Sequence, residues 1–221
     1  MHDHPRVRGG YLARSISLVF GLFLFAFAIV LILESELGLS PWDVLHQGIA
    51  NHTPFSFGAA NFAVGLVVIT LAWTLGAKIG IATIANVVIV SLTIEGLTAI
   101  PAVERLSDQA LGVRIVLLAV AMVLFGLGSA LYLGAWLGAG PRDSLMVVLA
   151  SRTHRRLGLV RAGIELAALA VGFALGGTVG VGTIVFALGI GPALEGGFWL
   201  LRRSPLGVGP PSPLPAPLAG S

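Results

Sequence analysis

One short element occurs twice in this chain, and that repeat constrains the fold more than anything else in the sequence. LGLSPWDVLHQGIANHT at residues 37–53 recurs as LGAGPRDSLMVVLASRT at residues 137–153, with no gap in the offset. Each copy has a Gly (Gly38, Gly138), a Pro three residues on (Pro41, Pro141) and an Asp two further (Asp43, Asp143). At this offset about 20 of some 90 positions agree, including Arg14 with Arg114, Gly58 with Gly158, Thr83-Ile84 with Thr183-Ile184 and Glu95-Gly96 with Glu195-Gly196. An apolar chain matches Leu to Leu by chance. It does not match Pro, Asp and Glu that way.

The first copy reads as a helix start. Ser40 takes the N-cap, Pro41 the first helical position where its missing N–H costs nothing, and Asp43 the third, where a carboxylate bonds back to the cap. Asp43 and Asp143 are therefore explained by capping, or by a site that uses the same helix ends. The first helix is amphipathic, with Trp42, Leu45 and Ile49 opposite Asp43, His46, Gln47 and Asn51. The second, Ser144 to Ala150, is apolar all round and is expected to sit deeper in protein or lipid than the first.

The whole chain of 221 residues is 56% hydrophobic and only 10% charged, more apolar surface than a soluble fold can hide. Six apolar stretches are long enough to cross a bilayer, near 15–33, 58–75, 81–100, 113–133, 158–175 and 181–201. The fold class is an all-α membrane protein: six transmembrane helices as two inverted three-helix repeats, each with a short Pro-Asp helix after its first span. Residues 1–11 form a cytoplasmic tail and 12–201 a single membrane domain, with repeat 1 at about 12–100 and repeat 2 at about 112–201. Residues 202–221, rich in Pro, are expected to be disordered.

Eleven of the 13 Lys and Arg residues fall on one side of a six-span topology, leaving Arg105 and Arg114 opposite. The positive-inside rule puts both termini in the cytoplasm. Three spans per repeat then make the halves cross in opposite senses, as in inverted-repeat transporters. The motif helices are either re-entrant or interfacial. Basic residues at span ends are topology signals, so the net charge of +3 does not imply nucleic acid.

Glu95 and Glu195 hold equivalent places near the far ends of spans three and six, where a carboxylate either snorkels to the interface or serves a site. Asn61 and Asn86 in the first half have Arg161 and Phe186 as counterparts, so the halves are chemically unequal. Arg161 pairs with Asp143 or with Glu165. The candidate substrate or ion path is Asp43, His46, Asn61, Glu95, Arg142, Asp143, Arg161 and Glu195. Gly38, Ser40, Pro41, Trp42, Gly138 and Pro141 are structural parts of the motif.

The chain has no cysteine, HExxH, phosphate loop or nucleophile with a base. His46 and His52 have no partner at metal spacing, and His2 and His4 lie on a loose terminus. No enzymatic activity, cofactor or metal is expected.

The element LGLSPWDVLHQGIA resembles the YczE/YitT group of bacterial multi-pass membrane proteins, in which G-x-x-P-W-D-V-L follows the first span, and the likeness covers most of residues 12–200. It implies a bacterial cytoplasmic-membrane location and an association with transport or with membrane-linked support of biosynthesis and secretion. The second copy departs from the motif, with Arg142 in place of Trp42, so the role of Trp42 at the outer interface is not mirrored inside. The function expected is a small transporter or channel-like protein in contact with lipid and a small solute or ion. The alternative is an accessory factor that docks a protein partner through the Arg152–Arg161 loop.

Overall fold

The computed structural model describes residues 5–208, so His2, His4 and the Pro-rich end lie outside the described residues. The elements run β1 (Arg6–Val7), α1 (Tyr11–Ser35), α2 (Pro41–His52), α3 (Phe57–Thr74), α4 (Ile81–Thr98), α5 (Pro101–Glu104), α6 (Leu111–Gly134), α7 (Pro141–Thr153), α8 (Leu157–Ala174), α9 (Val181–Arg203) and β2 (Gly207–Val208). Six helices, α1, α3, α4, α6, α8 and α9, are long and apolar enough to cross a membrane. The protein is an all-α, multi-pass membrane protein. Large apolar side chains such as Phe20, Leu71, Trp73 and Leu188 point outward, the arrangement lipid favours.

The core lies around α1 and α6, with Leu22, Ile29 and Ile32 fully buried. Lipid tails are as apolar as leucine, so these helices associate through close packing rather than escape from water. They cross where Gly21 meets the backbone of Gly128 and Tyr132, with no room for a methyl group.

Contacts between the halves are reciprocal. Gly182 N donates to Leu37 O at 2.6 Å, and Ala82 N donates to Leu137 O at 3.1 Å. Gly38 lies against Gly180, and Gly138 against Gly80. Arg14 donates to the carbonyls of Ala135 and Trp136, and Arg114 donates to that of Ser35. Exchange of this kind, where i meets j' and j meets i', is what a two-fold relation produces. Each motif helix consequently packs chiefly on the other half, α2 on α8 and α7 on α3.

Gly38 and Gly138 make this exchange, with φ of +115° and +132°. That backbone region favours glycine, and a Cβ at Gly38 would collide with the backbone of Gly180. The turn tips each chain inward so that the following helix begins inside the bundle. Asn51 Nδ2 then reaches Gly176 O at 3.0 Å, and Arg152 Nε reaches Leu75 O at 2.8 Å, so each motif helix ends beside the other half's turn. At about 1.5 Å per residue α2 and α7 extend only ~18–20 Å, too short to cross a hydrocarbon core of ~30 Å. With Ser40 and Asp43 buried at the start of α2 and Pro141 at that of α7, both helices begin inside the bundle.

One expectation needs correcting. Residues 202–208 are ordered: Arg202 and Arg203 complete α9, and Gly207–Val208 pair antiparallel with Arg6–Val7. The two ends of the described chain thereby hold each other, and Arg203 lies over the Trp199 ring at 4.1 Å. Of the motif helices, α2 is the more buried within the protein: Trp42, Asp43, Val44, His46 and Gly48 are covered, while Val147 of α7 is exposed. In lipid an apolar side chain faces outward at no cost, whereas Asp43 and His46 have to find protein partners.

Candidate functional site

The N-terminal ends of α2 and α7 meet at a cavity of about 130 Å³ in the middle of the bundle. It is lined from the first half by Ser40, Pro41, Trp42, His46, Asn61 and Asn86, and from the second by Ser129, Tyr132, Pro141, Arg142, Asp143, Arg161 and Glu165. Phe25, Phe125 and Phe186 close one wall, with Phe125 4.3 Å from Phe25 and 5.1 Å from Phe186 between ring centroids.

Sequence counterparts touch at this point. The Arg142 guanidinium lies 4.8 Å from the centre of the Trp42 ring. Trp42 and Arg142 hold equivalent positions in the two halves. Trp42 lines the cavity. It is 7% exposed, and its indole N–H has no hydrogen-bond partner.

The two aspartates are held differently. At α2 the Ser40 hydroxyl oxygen accepts from Asp43 N at 3.3 Å, and the hydroxyl donates to Asp43 Oδ2 in a short bond. The other carboxylate oxygen of Asp43 faces His46 Nδ1 at 3.3 Å. His46 Nδ1 also lies 3.2 Å from Asn61 Nδ2, and Asn61 Oδ1 accepts from Ser91 at 3.0 Å. Asp43 and His46 are each 1% exposed. At α7 the N-cap is Gly140, which has no side chain to offer, and Asp143 accepts from the Tyr132 hydroxyl at 3.2 Å. Capping thus accounts for part of Asp43's contacts and for none of those given for Asp143.

Of the eight path candidates, His46, Asn61, Arg142, Asp143 and Arg161 line the cavity, and Asp43 stands behind Ser40 and His46. Arg161 pairs with Glu165 at 2.9 Å, one of the two partners the sequence offered. Glu95 and Glu195 are exposed and lie elsewhere; Glu95 accepts from Ser56 at 2.5 Å beside an apolar groove between α3 and α4. Ser129 and Tyr132 were missed. They sit three residues apart on one face of an otherwise apolar span, a spacing that marks a shared polar stripe. Among the described residues no group of three His, Asp or Glu side chains could hold a metal.

A cluster of this kind, with polar and charged groups from both halves and two helix starts at one space, can hold a small polar or charged species inside an apolar bundle. Comparisons place the chain among membrane proteins of the same size. It is 37% identical over 188 residues to an uncharacterized protein of Haemophilus influenzae, covering 85% of this chain and 84% of the relative. It is 34% identical over 176 residues to the uncharacterized membrane protein YczE of Bacillus subtilis, covering 76% and 77%. No solved structure matches. The pattern of a family of unknown function, DUF6198, matches residues 12–196, and the chain belongs to that family.

Proposed function

We propose that the protein is a small transporter of the bacterial cytoplasmic membrane, with both termini in the cytoplasm and the central cavity as its binding site for a small polar solute or ion. The convergence of polar groups from both halves on one cavity, at the starts of both motif helices, carries this reading. Intramembrane charges are costly and are retained where they serve a pathway. Arg142 has no carboxylate within ion-pair distance among the described residues, which leaves its guanidinium free to take a ligand. The size of the cavity limits that ligand. About 130 Å³ is the share of roughly four water molecules, well below the ~300 Å³ at which pockets begin to take drug-sized ligands. A single ion or a solute of a few heavy atoms fits.

The test is a panel of such ions and solutes applied to proteoliposomes, with flux or electrogenic current as the readout. A current in the wild-type protein that falls about tenfold or more in Arg142→Gln is the expected result. No flux and no thermal stabilisation by any member of the panel would remove the support for transport.

A second reading, an accessory factor that docks an acidic partner protein, draws on the loop after α7. Arg155 and Arg156 are exposed there with no acidic side chain against either among the described residues, while Arg152 and Arg161 are engaged within the protein. Under this reading, replacing Arg155 and Arg156 abolishes function and replacing cavity residues does not.

A further inference from the structure

His46 Nδ1 faces two groups that make opposite demands on it. Asp43 Oδ1, at 3.3 Å, is an acceptor and requires a proton on the ring nitrogen. Asn61 Nδ2, at 3.2 Å, is a donor and requires the nitrogen bare. One nitrogen cannot satisfy both. The ring is 1% exposed, and with Asn61 bonded, Asp43 Oδ1 is left without a hydrogen-bond partner among the described residues.

The two choices bind different parts of the fold. Asp43 belongs to the same helix as His46, so that bond stays within α2. Asn61 belongs to α3 and is tied through Ser91 to α4, so the other bond joins α2 to both. His46 also lines the cavity, which gives a proton a route to the ring. The other groups around it are Arg142 of α7, close enough to interact electrostatically, and the Phe57 ring of α3, edge-on at 5.9 Å. Arg161 and Glu165 of α8 line the same cavity, already paired to each other.

From this geometry we infer that Asp43 and His46 form a proton-binding site whose occupancy decides whether α2 is tied to α3 and α4, making the proton the coupling ion of transport. The inference rests on reading the cavity as a transport site. A proton from cavity water goes to Nδ1, where it is shared with Asp43 Oδ1, and the bond from Asn61 is given up. Return of the proton to water restores the bond from Asn61. The pair gains one positive charge on loading and loses it on release. The second half has no such site, because Met146, Arg161 and Gly191 stand where His46, Asn61 and Ser91 stand in the first. Each chain therefore carries one proton by this route.

The test needs no transported solute. The full chain, with nitrogen-15 in histidine and asparagine side chains, is followed by NMR in nanodiscs over about pH 4 to 9. His46 and Asn61 signals are identified with His46→Gln and Asn61→Asp, or by elimination in the wild type if either variant does not fold. The His46 ring is expected to change protonation, and the Asn61 amide to shift with the same midpoint. In Asp43→Asn, which keeps the side chain's shape and removes its charge, proton affinity at His46 is expected to fall about tenfold or more. A ring that keeps one protonation state throughout, or one that titrates while Asn61 is unmoved, overturns the proton site. Either outcome leaves the flux measurement to judge the cavity separately.

Discussion

Asp43 and Asp143 occupy equivalent places in the sequence and unequal ones in the protein. Asp43 is enclosed with Ser40 and His46, while Asp143 lines the cavity beside Arg142 and Tyr132. Asparagine keeps the shape and one acceptor oxygen but removes the charge. Asp43→Asn is expected to lower transport about tenfold or more and to be the more damaging of the two, since Arg142 and Arg161 remain beside Asp143. Equal, near-wild-type activity in both variants would assign the aspartates to structure alone. Between the halves, the Trp42–Arg142 stack is expected to show a coupling of about 0.5–2 kcal/mol in a double-mutant cycle of Trp42→Leu and Arg142→Met, measured by reversible denaturation in detergent. Additive effects would mean the two side chains touch without stabilising each other.

At the scale of elements, the inward turn before each motif helix is what puts the site in the bundle. Gly38→Ala and Gly138→Ala are each expected to destabilise by about 1–3 kcal/mol through backbone strain, and by more at Gly38, where the added methyl also meets Gly180. Gly96→Ala, a helical position with open space around it, is the control and should be neutral or stabilising by up to ~1 kcal/mol in the same melting experiment. These elements were legible in the sequence for physical reasons. A span has to be apolar over its whole length, and Ser40-Pro41 states a helix start in three local groups. The division between protein and lipid was not legible: the apolar pattern of α7 fits either, while α2 hides Asp43 and His46 among protein partners and Val147 of α7 faces outward. Whether Glu95 and Glu195 reached the cavity depended on helix rotation, which a uniformly apolar span does not encode. Arg161 was more easily read, its partner Glu165 being one turn away on the same helix.

For the whole molecule, reciprocity between the halves follows from the gapless repeat, since equal sequences at equal offsets make equal contacts. Where the counterparts differ, the halves differ in chemistry: His46, Asn61 and Asn86 answer to Met146, Arg161 and Phe186. A cavity built this way has a relay of hydrogen bonds on one side and paired charges on the other. The pairing of β1 with β2 brings both ends of the described chain together, as an even number of crossings requires. Under the proposed orientation, with both ends in the cytoplasm as the uneven spread of basic residues favours, a C-terminal reporter active only outside should be silent. A fully active reporter would reverse the orientation.

A cavity that serves as a transport site, as proposed, opens to water on each side of the membrane in turn. The absence of native cysteine makes the test direct. Ser129 lines the cavity, is 5% exposed and differs from cysteine by one atom. In sealed vesicles of known orientation, Ser129→Cys is to be treated with a small, membrane-impermeant thiol reagent from one face or the other, with Arg155→Cys and Asp108→Cys as surface controls. Modification of Ser129→Cys from both faces is the expected result. A cysteine that reacts from neither face while the surface controls react would show a sealed centre and contradict the transport account.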